Sequence, residues 1–287
     1  SCLMRDECYI LSIYFPDEKN YLTRQMIWWL VLSAFFLLIV IISFSYVVMN
    51  LFRQKKLSEM KTDFVNNMTH EFKTPIATIS LASEMLLKPN VHESSEKTVR
   101  YANIIYDENS RLKNQVEQVL QIAVLDRGTI KLKKKEIKLH EIIEEAAESF
   151  EMLVKQREGK LHLELNAKQD TLEADPVHIF NIINNLLDNA NKYSPETPDI
   201  RIKTWNEFKG IMVSVEDKGI GISQENQKHV FKKFYRVHTG NIHDVKGFGL
   251  GLFYLKTIVE AHDGTVFLHS ELKKGTRFEI FLPIVQK

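Results

Sequence analysis

One run without charge constrains this chain more than any other feature. From Met26 to Phe52 there is no Asp, Glu, Lys or Arg, and stretches such as Leu30-Val31-Leu32 and Phe35-Phe36-Leu37-Leu38-Ile39-Val40-Ile41-Ile42 fill the segment. As a helix, about 27 residues reach roughly 40 Å, more than the ~30 Å of a bilayer's hydrocarbon core. Trp28 and Trp29 suit one membrane interface, and Tyr46 approaches the other. Arg53, Lys55 and Lys56 follow at once and place the C-terminal side in the cytoplasm. The run is too long for a secretory signal and has no small-residue cleavage site; a buried core helix is the remaining alternative. The spacing therefore predicts a transmembrane helix over residues 26–52. Residues 1–25 then read as the end of an extracytoplasmic region. In it, Tyr9 to Phe15 reads as a strand closed by Pro16-Asp17. With one span and a serine at position 1, an earlier span or signal peptide is expected upstream. Cys2 and Cys8 lack metal-ligand spacing, and an extracytoplasmic position allows a disulfide between them.

The rest of the 287 residues has a near-balanced charge, +1 overall, which gives no basic excess for nucleic acid and leaves room for about two further domains. Past the basic cluster, apolar residues recur at Leu57, Met60, Phe64, Met68, Phe72, Ile76, Ile79, Ala82 and Leu86. Steps of three and four mark one face of a long helix. His70 lies about 200° around that helix from both Met68 and Phe72, so it points to solvent. Glu71 beside it is placed to hold one ring nitrogen and leave the other free to attack. Thr74 stands one turn on, on the same face. Pro75 removes a helical hydrogen bond and should bend the helix. A lone exposed histidine is usually without function; the residues around this one set it apart. Lys88-Pro89-Asn90 ends the helix, and a second is expected from Ser95 to Leu125, with Ala102, Ile105, Leu112, Val116, Val119 and Ala123 as its seam. Two helices alone cannot bury such stripes, whereas a four-helix bundle from two chains can.

Asp126-Arg127-Gly128 breaks the second helix, and an α+β pattern runs from there to about Pro283. Strands are expected near Ile130–Leu132, Leu161–Leu165, Ile211–Val215 and Phe278–Leu282, and helices over Leu139–Gln156, after Asp175-Pro176, and over Leu252–His262. The middle helix carries Asn185 and Asn189, four apart on one face. Buried amides need partners, and a Mg²⁺ shared with phosphate oxygens supplies one. Lys192 follows within reach of the same phosphates. The plain alternative is an Asn-rich exposed face. Asp217-Lys218-Gly219-Ile220-Gly221 ends a buried strand with a carboxylate able to accept from an exocyclic amine, and its glycines let backbone approach a flat base. Gly247-Phe248-Gly249-Leu250-Gly251 opens a helix, whose free N–H groups and dipole favour phosphate. Each glycine box alone is a weak signal. A Rossmann reading fails for want of surrounding βαβ units.

Together these stretches carry a family resemblance. Met68-Thr69-His70-Glu71-Phe72-Lys73-Thr74-Pro75 closely resembles the phosphoacceptor motif of sensor histidine kinases, in its His-Glu-x-x-Thr-Pro form. The asparagine stretch, Asp-x-Gly-x-Gly, the pair Phe231 and Phe234, and the second glycine box resemble the ATP-binding domain shared by histidine kinases, gyrase, the Hsp90 chaperones and MutL. Their order and spacing are those of the kinases, over roughly Lys55 to Pro283. The resemblance implies a multidomain protein: one transmembrane helix, a helical-hairpin dimerisation and phosphotransfer domain over 53–127, and an α+β sandwich ATP-binding domain over 128–287. It implies that ATP passes its γ-phosphoryl to His70, with Glu71 as base and orienting group, and that an aspartate on a response regulator receives it. Thr74 would hold a water for the reverse, phosphatase reaction. Asn185 and Asn189 would form the phosphate and Mg²⁺ side, with Asn189 the metal ligand, and Lys192 and Tyr193 would line it. Asp217, with Gly219 and Gly221, would bind adenine. Phe231 and Phe234 would anchor a lid, Arg236 would reach the γ-phosphate, and Gly247, Gly249, Leu250 and Gly251 would hinge the lid and contact phosphates. The implied setting is a homodimer in the bacterial cytoplasmic membrane, with its kinase domains in the cytoplasm and no nucleic-acid partner. A nucleotide-binding sensory scaffold and an ATPase of the same fold are the competing readings.

Overall fold

Helix α1 runs from Glu18 to Leu86 and continues through Pro75. The computed structural model describes residues 11–13, 18–92, 94–125, 131–237 and 248–284. The chain divides into two units, Ser1–Glu59 and Met60–Lys287. In the first unit the apolar side chains of α1 are exposed on every side: Trp28, Phe36, Val40, Phe44 and Phe52 each show more than half their surface. A helix that is apolar all round needs an apolar surrounding. Among the described residues this is the one helix long and apolar enough to cross a membrane. Leu11–Ile13 form no strand, and the rest of the strand expected over Tyr9–Phe15 lies outside the described residues, as do Cys2, Cys8 and Asp126-Arg127-Gly128.

In the second unit α1 ends at Leu86, a short helix α2 spans Pro89–His92, and α3 spans Ser95–Leu125. Buried Val91 and the Thr98 hydroxyl, which donates to the Val91 carbonyl at 3.1 Å, close the connection. Little of the hairpin is buried within one chain: Val99, Val116 and Leu120 remain exposed. On the apolar face of α1, Phe64, Met68 and Phe72 pack against the core of the α+β domain.

That domain is a two-layer sandwich. Strands β1 (Lys135–Lys138) and β3 (Thr171–Ala174) pair antiparallel at one side. Strands β2 (Lys160–Leu165), β4 (Asp199–Glu207), β5 (Gly210–Asp217), β6 (Thr265–Glu271) and β7 (Gly275–Pro283) form a five-stranded sheet in the order β2-β4-β5-β7-β6, parallel only between β2 and β4. Helices α4 (Leu139–Gln156), α5 (Pro176–Lys192) and α7 (Gly251–Ala261) cover one face, and α6 (Gln224–Gln227) is a single turn. The expected strand near Ile130–Leu132 is displaced to β1. Ile137, opposite Leu172, finds a core position there, whereas Lys131–Lys134 pair with nothing in a sheet. Strands β3, β4 and β6 are additional to those expected from sequence.

Helix α5 sets the site. Asp175 caps it, accepting from the N–H of Val177 at 3.1 Å and His178 at 3.4 Å, and Pro176 occupies the first turn, where its missing N–H costs nothing. Ile179, Ile182, Ile183, Leu186, Leu187 and Ala190 recur at helical spacing and are buried against the sheet and its neighbouring helices. The opposite face, with Asn181, Asn184, Asn185, Asp188 and Asn189, is left looking outward.

Candidate functional site

That outward face of α5 is the floor of a cavity of about 1120 Å³. Asn185, Asn189, Lys192, Tyr193, Asp217, Gly221, Arg236, Gly249, Leu250 and Gly251 all line it, so side chains spread over 67 positions of sequence meet in one space. Gly219 stands just behind. Its N–H donates to Asp217 Oδ1 at 2.8 Å. Thr276, which sequence reasoning missed, donates its backbone N–H to the same oxygen at 3.3 Å. The signal for Thr276 is not local: it is the β5–β7 register, which sets Asp217 opposite Thr276. Both donors use Oδ1, so Oδ2 is the oxygen left for a ligand amine. Burial raises the Asp217 carboxyl to about 6, against the opposing effect of those two bonds. Burial also raises the Tyr193 phenol.

The glycines also allow close approach within the protein itself. A Cβ on Gly219 would lie 2.4 Å from the Tyr193 carbonyl oxygen, and one on Gly221, at φ +69°, would lie 2.0 Å from the Glu271 carbonyl oxygen. Their closeness is to the protein's own backbone, which shapes the wall a base would meet. Gly251 opens α7 against α5: a Cβ there would lie 2.3 Å from Asn185 Oδ1. Leu250 caps α7 without a side-chain bond to the first-turn N–H groups, and Leu250, Gly251 and Leu252 line the cavity. Gly247 lies outside the described residues.

Phe231 and Phe234 do not line the cavity. Phe231 packs edge-on against Phe278, at 6.2 Å between centroids, and Phe234 packs at 4.5 Å on Phe64 of α1. His70 is exposed, also outside the cavity wall, and its imidazole has no hydrogen bond or ion pair among the described residues. Glu71 does line the wall, but its carboxylate faces α3, not the imidazole. It accepts from Gln115 Nε2 at 3.5 Å and meets Arg111 at 3.9 Å. Adjacent helix residues diverge by about 100°, which lets the two point to different neighbours. Thr74 donates to the His70 carbonyl at 3.4 Å and is exposed. Lys192 pairs with Asp188 one turn back.

The His Kinase A (phospho-acceptor) domain model matches residues 60–128, and the histidine kinase-, DNA gyrase B- and HSP90-like ATPase model matches residues 174–286. Sensor protein RprX of Bacteroides fragilis is 47% identical over 279 residues, which are 96% of this chain and 54% of RprX. The chain belongs to the sensor histidine kinases. Sensor protein SrrB of Staphylococcus aureus is 32% identical to this kinase over 82% of the chain and 40% of SrrB. Thus the kinase chain spans about half the length of the curated relatives it matches. Among solved structures, histidine kinase ThkA in complex with the response regulator TrrA aligns with a TM-score of 0.55 at 25% identity, over 81% of this chain and 64% of that one. Full-length ShkA in complex with AMPPNP shares the fold, with a TM-score of 0.57 at 21% identity over 76% of this kinase and 45% of ShkA.

The donor set suits the group this family implies. The described residues hold no cluster of three or more His, Cys, Asp or Glu side chains able to take a metal by themselves. The amide face of α5 does offer neutral oxygens, including a buried Asn184 Oδ1 with no partner. Such a face fits a Mg²⁺ that arrives with phosphate oxygens and keeps several waters.

Proposed function

We propose that this chain is the signalling half of a membrane-anchored, dimeric sensor kinase that transfers the γ-phosphoryl of ATP to His70 and then to an aspartate of a response regulator. The observation that carries this reading is the single cavity in which Asn185, Asn189, Lys192 and Asp217 meet, with Glu71, the neighbour of His70, in its wall. Asp217 Oδ2 accepts from the adenine amine. Asn185, Asn189 and the N-terminus of α7 take the phosphates, and Arg236 approaches the terminal one. A Mg²⁺ held at Asn189 would neutralise charge on the phosphate oxygens. Most of the rate gain is positioning and electrostatics. His70 supplies a ring nitrogen as nucleophile, and its exposure leaves that nitrogen open to an incoming phosphate. Glu71 takes the proton from the other ring nitrogen once it turns from Arg111 toward the imidazole.

Exposed Val99, Val116 and Leu120 support a second copy completing the helical bundle. The apolar surface of α1 from Met26 to Phe52 supports a bilayer around it. Thr74 adds a phosphatase function, holding a water in line for attack on the regulator's aspartyl-phosphate.

The test is incubation of the full chain in nanodiscs with γ-labelled ATP. The expected product is acid-labile, alkali-stable phosphate on His70. His70→Gln should lose the label and keep ATP binding, while Asn189→Ala should lose Mg²⁺-dependent ATP binding. Label that persists in His70→Gln sinks the acceptor assignment.

A further inference from the structure

Arg157 stands outside the matched ATPase segment and outside the cavity wall. It is the C-cap residue of α4, yet its guanidinium serves a different helix. Nη1 donates to the carbonyl of Asn191 and, at 2.9 Å, to Asn191 Oδ1. Nη2 donates to the carbonyls of Ser194 at 2.7 Å and Glu196 at 3.1 Å. The last carbonyls of a helix lack internal partners, and a cation there also suits the helix dipole. A planar guanidinium presents several donors in a fixed fork, which a lysine does not. Among the described residues Arg157 has no carboxylate partner, and the bonds of its guanidinium all go to the segment 191–196.

Between those acceptors sits Tyr193. Its carbonyl accepts from the N–H of Ile220 at 3.1 Å, and Gly219 lies so close that a Cβ would stand 2.4 Å from that oxygen. Gly219 in turn holds Asp217 Oδ1. A continuous set of direct contacts therefore runs from Arg157 through the end of α5 to the adenine carboxylate. A second tie closes the same corner: the N–H of Lys160 donates to the Pro198 carbonyl at 2.7 Å, and Gly159 leaves that oxygen room, since a Cβ would come within 2.5 Å.

We propose that Arg157 is a positioning residue for nucleotide. It fixes the C-terminal end of α5, and with it the spacing between the phosphate side at Lys192 and the adenine side at Asp217. The proposal rests on the nucleotide-site reading above. Its test compares wild type, Arg157→Met, Arg157→Lys and Asn189→Ala in the full chain in nanodiscs. The readouts are the Kd for ATP and GTP, the nucleotide-free Tm and the phosphotransfer rate at saturating ATP. Arg157→Met should bind ATP about tenfold more weakly and lose part of its preference over GTP, because the loop that presents Asp217 is no longer held. Its transfer rate at saturation should stay within about twofold of wild type, since no group that touches the reacting atoms is altered. Arg157→Lys should fall between the two. If Arg157→Met does not fold, Arg157→Lys decides. A folded variant that keeps the wild-type Kd and nucleotide preference overturns the proposal, even if its Tm falls. Wild type that binds no ATP, like Asn189→Ala, overturns the site reading and this proposal together.

Discussion

Two aspartates show how one residue type takes opposite roles from its surroundings. Asp175 loses solvation on burial, which works to raise its pKa, but the N–H groups of Lys133, His178 and Val177 outweigh that and hold it below the ordinary 3.8. Asp217 has fewer such bonds, and burial wins, raising it to about 6. Because its folded value lies above its unfolded one, Asp217 costs the fold stability as pH rises through about 4 to 6, and that cost is full at neutral pH. Ligand binding runs the other way. An amine needs the ionised acceptor, so ADP affinity should fall by roughly tenfold from pH 7 to pH 5, while Asp217→Asn should bind weakly with a flatter profile. Calorimetry across that range checks it; a wild-type profile as flat as the variant's would remove Asp217 from adenine recognition. Thr74 poses a different residue-scale question, since its hydroxyl bonds back to the His70 carbonyl at 3.4 Å yet stays exposed. We expect Thr74→Ala to keep autophosphorylation and to slow decay of the phosphorylated regulator about tenfold, the loss of one positioned water. Equal decay with variant and wild type would leave Thr74 no role beyond its backbone bond.

At the scale of elements, α5 joins core and site in one helix. Its apolar residues lie against the sheet and helices, and its amides floor the cavity, so anything that shifts its start shifts both. Asp175 fixes that start and also accepts from the N–H of Lys133 at 2.8 Å, tying the approach to β1 to the same cap. The Asp175 N–H is in turn donated to His262 Nε2 at 3.0 Å, at the end of α7. Asp175→Ala should cost about 1–2 kcal/mol by loss of the cap. Denaturant unfolding would register this as a lower midpoint with an unchanged slope. A change within error would mean that neighbouring packing, not the cap, sets the helix start.

At the scale of the second unit, an aromatic cluster joins the phosphoacceptor helix to the ATP domain. Phe64 meets Phe234 at 4.5 Å and Phe248 at 6.2 Å, and Phe72 meets Phe248 at 5.9 Å. Phe234 sits in the left-handed region at φ +66°, a cost of order 1–2 kcal/mol for a residue with a Cβ. In this arrangement His70 is not in the cavity wall, and on the proposed function a transfer within one chain requires the cluster to open. Phe64→Ala should therefore raise the autophosphorylation rate by about two- to fivefold at saturating ATP and leave the Kd for ATP unchanged, by shifting the population toward the open arrangement. A slower rate in stopped-time labelling assays would mean that the cluster belongs to the reactive arrangement.

Much of this protein is written locally. The uncharged run of α1, the limits of α3 and α4, the Asp175-Pro176 start of α5 and the four family motifs follow from spacing and composition, because helix period, capping and glycine use are short-range properties. The sequence places Asn185 and Asn189 on one helix face with no knowledge of the fold. It does not say that Glu71 turns to Arg111 and Gln115, that Thr276 joins Gly219 on one oxygen of Asp217, or that Phe64 and Phe72 leave the hairpin for Phe234 and Phe248. Each of these joins residues tens to hundreds of positions apart, set by strand register and by which apolar face finds the larger buried surface. The displaced strand β1 has the same cause: Ile137 gains a buried position opposite Leu172, and only the folded sheet can offer it.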